Sequence, residues 1–106
     1  MATNKVIVQF RADTPRDLDR LYQVEETLFQ AFSQSKDGIV DGHDIGQGKF
    51  NIFINVRSSW SPVLERVHAF LKLRGVLEEA VVVKFHSKSE HYQVVHPSSH
   101  PSGFAL

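Results

Sequence analysis

The clearest pattern in the chain is an alternation of apolar and polar positions over residues 49–56. One side of this stretch carries Phe50, Ile52, Ile54 and Val56, and the other carries Lys49, Asn51, Phe53 and Asn55. A period of two residues predicts a half-buried strand. Gly46 and Gly48 lie just before it and can take the positive φ that a three-residue hairpin loop requires. Residues 41–56 are therefore predicted to contain a β-hairpin, around which the rest of the chain is organised.

The register of this hairpin follows from which residues can be buried. The predicted pairs are Ile45 with Lys49, Asp44 with Phe50, His43 with Asn51, Asp41 with Phe53, and Val40 with Ile54. This pairing keeps Asp41 and His43 on the polar side of the sheet. A slip by one residue would bury both against isoleucines, which is costly for polar groups.

Two more strands are predicted over residues 5–12 and 80–85, where apolar and β-branched residues are dense. The side chains expected to point inward are Val6, Val8 and Phe10 in the first strand, and Val81, Val83 and Phe85 in the last. A capping residue followed by proline, at Thr14-Pro15 and Ser61-Pro62, predicts the start of each of two helices.

The first helix is expected over residues 15–33 and the second from Pro62 to the C-cap glycine Gly75. Their apolar stripes consist of Leu18, Leu21, Tyr22, Leu28, Phe29 and Phe32, and of Val63, Leu64, Val67, Phe70 and Leu71. Phe32 and Val67 are expected in the core, facing Val8, Ile52 and Val83.

The order β-α-β-β-α-β predicts an α+β, ferredoxin-like sandwich, in which two helices cover one face of a four-stranded antiparallel sheet. We assign residues 1–88 to this domain. Residues 89–106 are interpreted as a C-terminal extension, partly mobile, in which residues 91–95 are compatible with a short added strand.

Composition narrows the class of protein. The 106 residues suit one domain, and 12 basic residues balance 12 acidic ones. This balance argues against nucleic acid or an anionic membrane as a partner. The chain has no cysteine, no apolar signal segment and no stretch long enough for a membrane span. We therefore expect a cytoplasmic protein.

The glycines and aromatic residues of the hairpin carry a resemblance. The pattern that carries it consists of Asp41-Gly42, Gly46, Gly48, Phe50, Ile52 and Phe53. Set within β-α-β-β-α-β, the pattern resembles a family of small, uncharacterised bacterial proteins with the ferredoxin-like fold. The resemblance covers residues 5–86. It implies the fold and offers no catalytic residues.

Glu25 is the first candidate for chemistry, because it falls within the apolar stripe of the first helix. A buried carboxylate must be paired, neutralised or hydrated. It could be the acid of a cavity, as in ferredoxin-like isomerases and monooxygenases, or a glutamate at the margin of the stripe.

The histidines do not predict a metal site. Asp41, His43 and Asp44 supply too few ligands on one face, and the spacing of His86, His91, His96 and His100 matches no structural zinc pattern. No cofactor is expected. RNA binding is also rejected, because Phe50 and Phe53 face opposite sides of their strand.

The open face of the sheet is the second candidate site. Its expected apolar centre is Ile7, Phe53 and Val82, and its polar rim is Gln9, Arg11, His43, Asn51, Asn55, Lys84 and His86. The face could bind a second copy or a protein partner, or the C-terminal segment could cover it with Tyr92 or Phe104 as the plug. We interpret the chain as a non-enzymatic binding or interaction module of an immunity or regulatory kind. The alternative is a small cavity enzyme or ligand binder that uses Glu25.

Overall fold

A computed structural model describes residues 3–98 and 104–106. In these residues, a single sheet is formed by five antiparallel strands in the order β2-β3-β1-β4-β5. The elements in chain order are β1 (Lys5–Arg11), α1 (Pro15–Ser33), β2 (Gly38–Gly46), β3 (Lys49–Val56), α2 (Trp60–Leu73), a short 3-10 helix (Leu77–Glu79), β4 (Val81–His86) and β5 (His91–His96).

The α+β class is confirmed, but the predicted four-stranded ferredoxin-like sheet is wrong. β5 pairs antiparallel with β4 and extends the sheet to a fifth strand. Tyr92 of β5 lies opposite Phe85, with ring centroids 5.0 Å apart, so the added strand also buries aromatic surface. The sheet thus continues past the predicted boundary at residue 88. The predicted mobility of the extension falls partly on residues 99–103, which lie outside the described residues.

The start of α1 is set by a capping box. Thr14 Oγ1 accepts a hydrogen bond from the Asp17 amide at 3.2 Å, and Asp17 Oδ2 accepts one from the Thr14 amide at 3.2 Å. The Asp13 amide also donates to Asp17 at 3.0 Å. These bonds favour the ionised carboxylate, with the Asp13 amide as the largest cause, and they hold the pKa of Asp17 below its ordinary value.

One face of the sheet packs against both helices. Its core strands contribute Val6, Val8, Phe10, Phe50, Ile52, Ile54 and Val82, and the helices contribute Leu21, Val24, Leu28, Phe32, Val63, Val67 and Leu71. The predicted burial of Phe32 and Val67 is confirmed, with exposed fractions of 1% and 0%. Gly38 lies where β2 passes under α2, and an added Cβ there would come within 2.9 Å of the Asn55 carbonyl oxygen.

The buried face of α1 is rotated from the predicted stripe. Val24 lies at its centre, and Tyr22 and Phe29 are 42% and 45% exposed. The rotation moves Glu25 from the middle of the stripe to its margin, beside β2.

The predicted register of the hairpin is wrong near the turn. The loop has two residues, Gln47 and Gly48, with φ of 53° and 76°, and Gly46 pairs with Lys49. Positive φ at both central residues is typical of a type I′ turn, which matches the twist of the strands. His43 therefore faces Ile52, on the helix side of the sheet. A bulge between Val40 and Gly42 absorbs the extra residue, and Val40 pairs with Ile54 as predicted.

The predicted orientation of the last strand is also wrong. Val82 pairs with Val8 and joins the core against the helices, whereas Val83 pairs with Ile7 on the opposite face. Val82 and Val83 are 4% and 0% exposed. Both faces of β4 are therefore buried, and alternation alone could not distinguish them.

Candidate functional site

Glu25 and His43 form a pair across the space between α1 and β2. His43 Nδ1 lies 2.9 Å from each carboxylate oxygen of Glu25. The side chains of Glu25 and His43 are 17% and 30% exposed. A carboxylate at this distance favours the imidazole tautomer with its proton on Nδ1. Within residues 3–98 and 104–106, the Nε2 atom of His43 makes no hydrogen bond, so it is available as an acceptor.

Two aromatic rings fix the orientation of the His43 imidazole. The ring stacks on Phe50 with centroids 4.9 Å apart and an interplanar angle of 16°. The edge of Tyr22 meets it at 5.2 Å. Tyr22 contacts Phe50 as well, at 5.4 Å. The rings of Tyr22 and Phe50 thus orient the imidazole for its bond to Glu25.

A shallow groove of about 400 Å³ opens to solvent beside this pair. Its lining consists of Glu25, Glu26, Phe29, Val40, Asp41, Gly42 and His43. Three carboxylates and one imidazole thus line it, without any lysine or arginine. Asp41 Oδ2 accepts from Lys5 Nζ at 3.2 Å, which neutralises one of the three. We call the groove and its exposed neighbours Tyr22 and Ile45 the α1–β2 surface.

The predicted open-face site is only partly assembled. Six members lie on the face away from the helices, as their pairing in β1 and β3 requires: Ile7, Gln9, Arg11, Asn51, Phe53 and Asn55. The four other predicted members lie on the helix side of the sheet instead: His43, Val82, Lys84 and His86. Lys84 Nζ, for example, lies 5.3 Å from the centroid of the Trp60 ring in α2.

The end of the chain covers the centre of the open face. The Ala105 carbonyl oxygen accepts from Gln9 Nε2 at 2.8 Å and from Lys49 Nζ at 3.1 Å. Gln9 Nε2 also donates to Asn51 Oδ1 at 3.0 Å, so the amide nitrogen of Gln9 and the amide oxygen of Asn51 are both paired. The rings of Phe104 and Tyr92 lie 5.4 Å apart. Ile7 is only 2% exposed, so in this structure the C-terminal segment covers the centre of the open face, which is one of the two alternatives considered for it.

The sequence identified Glu25 and His43 separately but did not bring them together. Tyr22 was interpreted as part of the core, yet it is 42% exposed beside His43. A two-residue reading of the turn, Gln47-Gly48, would have placed His43 on the face of α1 and revealed the pair. In the described ranges, 3–98 and 104–106, no three His, Asp or Glu side chains cluster as metal ligands would.

The helices of the described residues include none that is both long and apolar enough to cross a membrane. Comparisons with known proteins add no relative: no family model, curated protein or solved structure matches the chain.

Proposed function

We propose that this chain is a non-enzymatic interaction module that binds a protein partner through the α1–β2 surface. The partner presents a lysine or arginine next to an apolar side chain. The observation that carries the proposal is the Glu25–His43 pair, set in an acidic groove between exposed apolar residues.

Charge supports a basic partner. The lining of the groove has no lysine or arginine. Of its three carboxylates, Asp41 is paired with Lys5 and Glu25 with His43, and Glu26 has no cationic partner among the described residues. A cation that enters it meets an attractive field, and complementary charge favours encounter and specificity. Two copies of the chain that met through this surface would bring the same carboxylates together. Repulsion between them argues against a symmetric homodimer at this place.

Shape supports a protein segment rather than a small molecule. Small-molecule sites are concave and bury most of the ligand. This groove is shallow and open, and it is flanked by Tyr22, Phe29 and Ile45, which are 41–45% exposed. Exposed aromatic and aliphatic anchors around a charged centre are typical of protein interfaces.

The open sheet face is a weaker candidate for the same role. Ala105 is hydrogen-bonded over it, and Ile7 at its centre is buried. A homodimer or partner at that face would first have to displace residues 104–106. We therefore place the proposed interaction surface on α1 and β2, not on the open sheet face.

A second candidate function is acid–base chemistry at the same pair. It is favoured by His43 Nε2, a ring nitrogen that accepts no hydrogen bond from the described residues while Glu25 holds Nδ1. The groove does not enclose a substrate or exclude water, which proton transfer by such a pair benefits from. Binding is therefore the function that this geometry supports better.

A random peptide library displayed on phage tests the proposal. Selection on the immobilised protein is expected to enrich peptides with lysine or arginine beside apolar residues. Synthetic copies should bind the Glu25→Gln and Phe29→Ala variants on the order of tenfold more weakly, as for loss of one anchor contact. A Leu73→Ala variant, changed at a residue 78% exposed on α2, is the matched control and should bind normally. Enriched peptides without basic residues, or equal binding to all variants, would contradict the proposal.

A further inference from the structure

A second concave site lies at the end of the sheet where β3 leads into α2. It is a cleft of about 640 Å³ between the start of β1, the end of β3 and the β4–β5 turn. Arg57 and Lys88 line it from two different segments, together with Asn4, His86 and three serines. None of its lining residues is an aspartate or glutamate. The acidic groove at Glu25 and His43 shares no lining residue with it.

The polar groups of this cleft that have no partner within the described residues are hydrogen-bond donors and cations. Within the described residues, neither the Arg57 guanidinium nor the Lys88 ammonium makes a salt bridge or a side-chain hydrogen bond. Asn4 Oδ1 accepts from both the amide and the hydroxyl of Ser87 at 2.9 Å. These bonds fix the Asn4 amide with its Nδ2 donor group facing no acceptor in the same residues. Two cations and an oriented amide donor therefore line the same cleft.

The backbone beside Arg57 is anchored, and both cations are exposed to solvent. The Arg57 amide donates to the Asp37 carbonyl at 2.9 Å, which holds the backbone at that point. The Asp37 carboxylate is directed elsewhere, 3.9 Å from Arg66 Nη2 and 3.3 Å from Ser35 Oγ. His86 packs against Trp60 at 5.1 Å, and its Nε2 lies 3.1 Å from Gln93 Oε1. The Asp37 carboxylate thus has partners of its own, and Glu90, in the same turn as Lys88, is not among the lining residues of the cleft.

We infer that this cleft binds the phosphate group of a small phosphorylated molecule. Guanidinium and ammonium groups, with hydroxyl and amide donors, are the chemistry that recognises a phosphate oxyanion. The hydroxyls come from Ser58, Ser87 and Ser89. Nucleic acid needs an extended basic surface, whereas this chain has equal numbers of basic and acidic residues and only two of its basic residues here.

Titration of the full ¹⁵N-labelled chain with inorganic phosphate, at constant ionic strength set with sodium chloride, tests this inference by NMR. The amide shifts of Arg57, Ser58 and residues 87–89 are expected to change and to saturate. Glycerol 3-phosphate should move the same amides. A double variant, Arg57→Ala with Lys88→Ala, should weaken both ligands by roughly tenfold or more, since two charged hydrogen bonds are lost.

The matched control is Lys72→Ala with Arg74→Ala, which removes the same charge from exposed positions at the other end of α2. Binding should be unchanged in this control. Equal weakening in both double variants, or shifts scattered over the surface without saturation, would overturn the inference. Vesicles that contain phosphatidylserine should leave the cleft amides unmoved; if the vesicles shift them more than glycerol 3-phosphate does, a lipid surface is the ligand and the inference is wrong.

Discussion

His43 Nδ1 lies 2.9 Å from both carboxylate oxygens of Glu25, across the gap between α1 and β2. The pair connects the helix layer to the edge strand of the sheet at a point where the rings of Tyr22 and Phe50 contact the imidazole. Its position beside an acidic, solvent-open groove makes it the centre of the proposed interaction surface.

A double-mutant cycle with Glu25→Ala and His43→Ala measures the strength of this contact. We expect a coupling of up to about 1 kcal/mol in the free energy of unfolding, because Glu25 is half-buried and His43 remains accessible to solvent. Chemical denaturation of the four proteins provides the measurement. Additive single effects would show that the two residues do not interact in solution.

The core assignment of α1 is tested by two phenylalanines on the same helix. Phe32→Ala should lower the free energy of unfolding by about 3–5 kcal/mol, because Phe32 is 1% exposed and its removal leaves a cavity. Phe29→Ala, at a residue 45% exposed, should change it by no more than about 0.5 kcal/mol. Similar denaturation midpoints for the two variants would contradict the packing described for α1.

The two-residue turn makes a prediction about two glycines. Gly48 has a φ of 76°, so Gly48→Ala should cost about 1–2 kcal/mol in the free energy of unfolding. Gly46 lies outside the left-handed region and has open space at its Cβ, so Gly46→Ala should cost less than about 0.5 kcal/mol. Equal costs in thermal or chemical denaturation would argue for the three-residue loop instead.

These glycines also explain what the sequence could predict about the hairpin. Its existence and its inward residues on β3 follow from the alternation over residues 49–56. Two glycines separated by Gln47 allow either a two- or a three-residue loop, and each choice places His43 on a different face. The bulge at Asp41 restores the pairing of Val40 with Ile54, and no rule of alternation anticipates it.

Three further predictions from the sequence were wrong or incomplete: the orientation of β4, the presence of β5 and the position of Glu25 on α1. Val82 packs in the core against the helices, and Val83 is buried on the opposite face of β4. Because both residues are apolar, the sequence does not indicate which of them faces the helices. The residues of β5 were predicted only to be compatible with a short strand, because the segment is short. Glu25 was expected in the middle of its stripe because Tyr22 and Phe29 were counted as core, although both are substantially exposed. Both belong to the proposed interaction surface.

The contact of the chain's end with the sheet is tested by deletion of residues 104–106. We expect a loss on the order of 1–3 kcal/mol in the free energy of unfolding, because Gln9 loses its bond to Ala105 and Ile7 loses apolar cover. Dye binding by 8-anilinonaphthalene-1-sulfonate should increase as Ile7 and Phe53 become accessible. Unchanged stability and dye binding would show that residues 104–106 do not cover this face in solution.

The central claim is that the α1–β2 surface binds a partner with a basic and an apolar group. Its most direct test is site-specific photo-crosslinking in the cells that produce the protein, with p-benzoylphenylalanine in place of Phe29 or, as a control, of Leu73. A discrete crosslinked species should form from position 29 and not from position 73. It should diminish when Glu25→Gln is added, and its attachment point should lie next to a lysine or arginine of another protein. Equal crosslinking from both positions, a crosslink to a second copy of this chain, or no crosslink at position 29 would contradict the account.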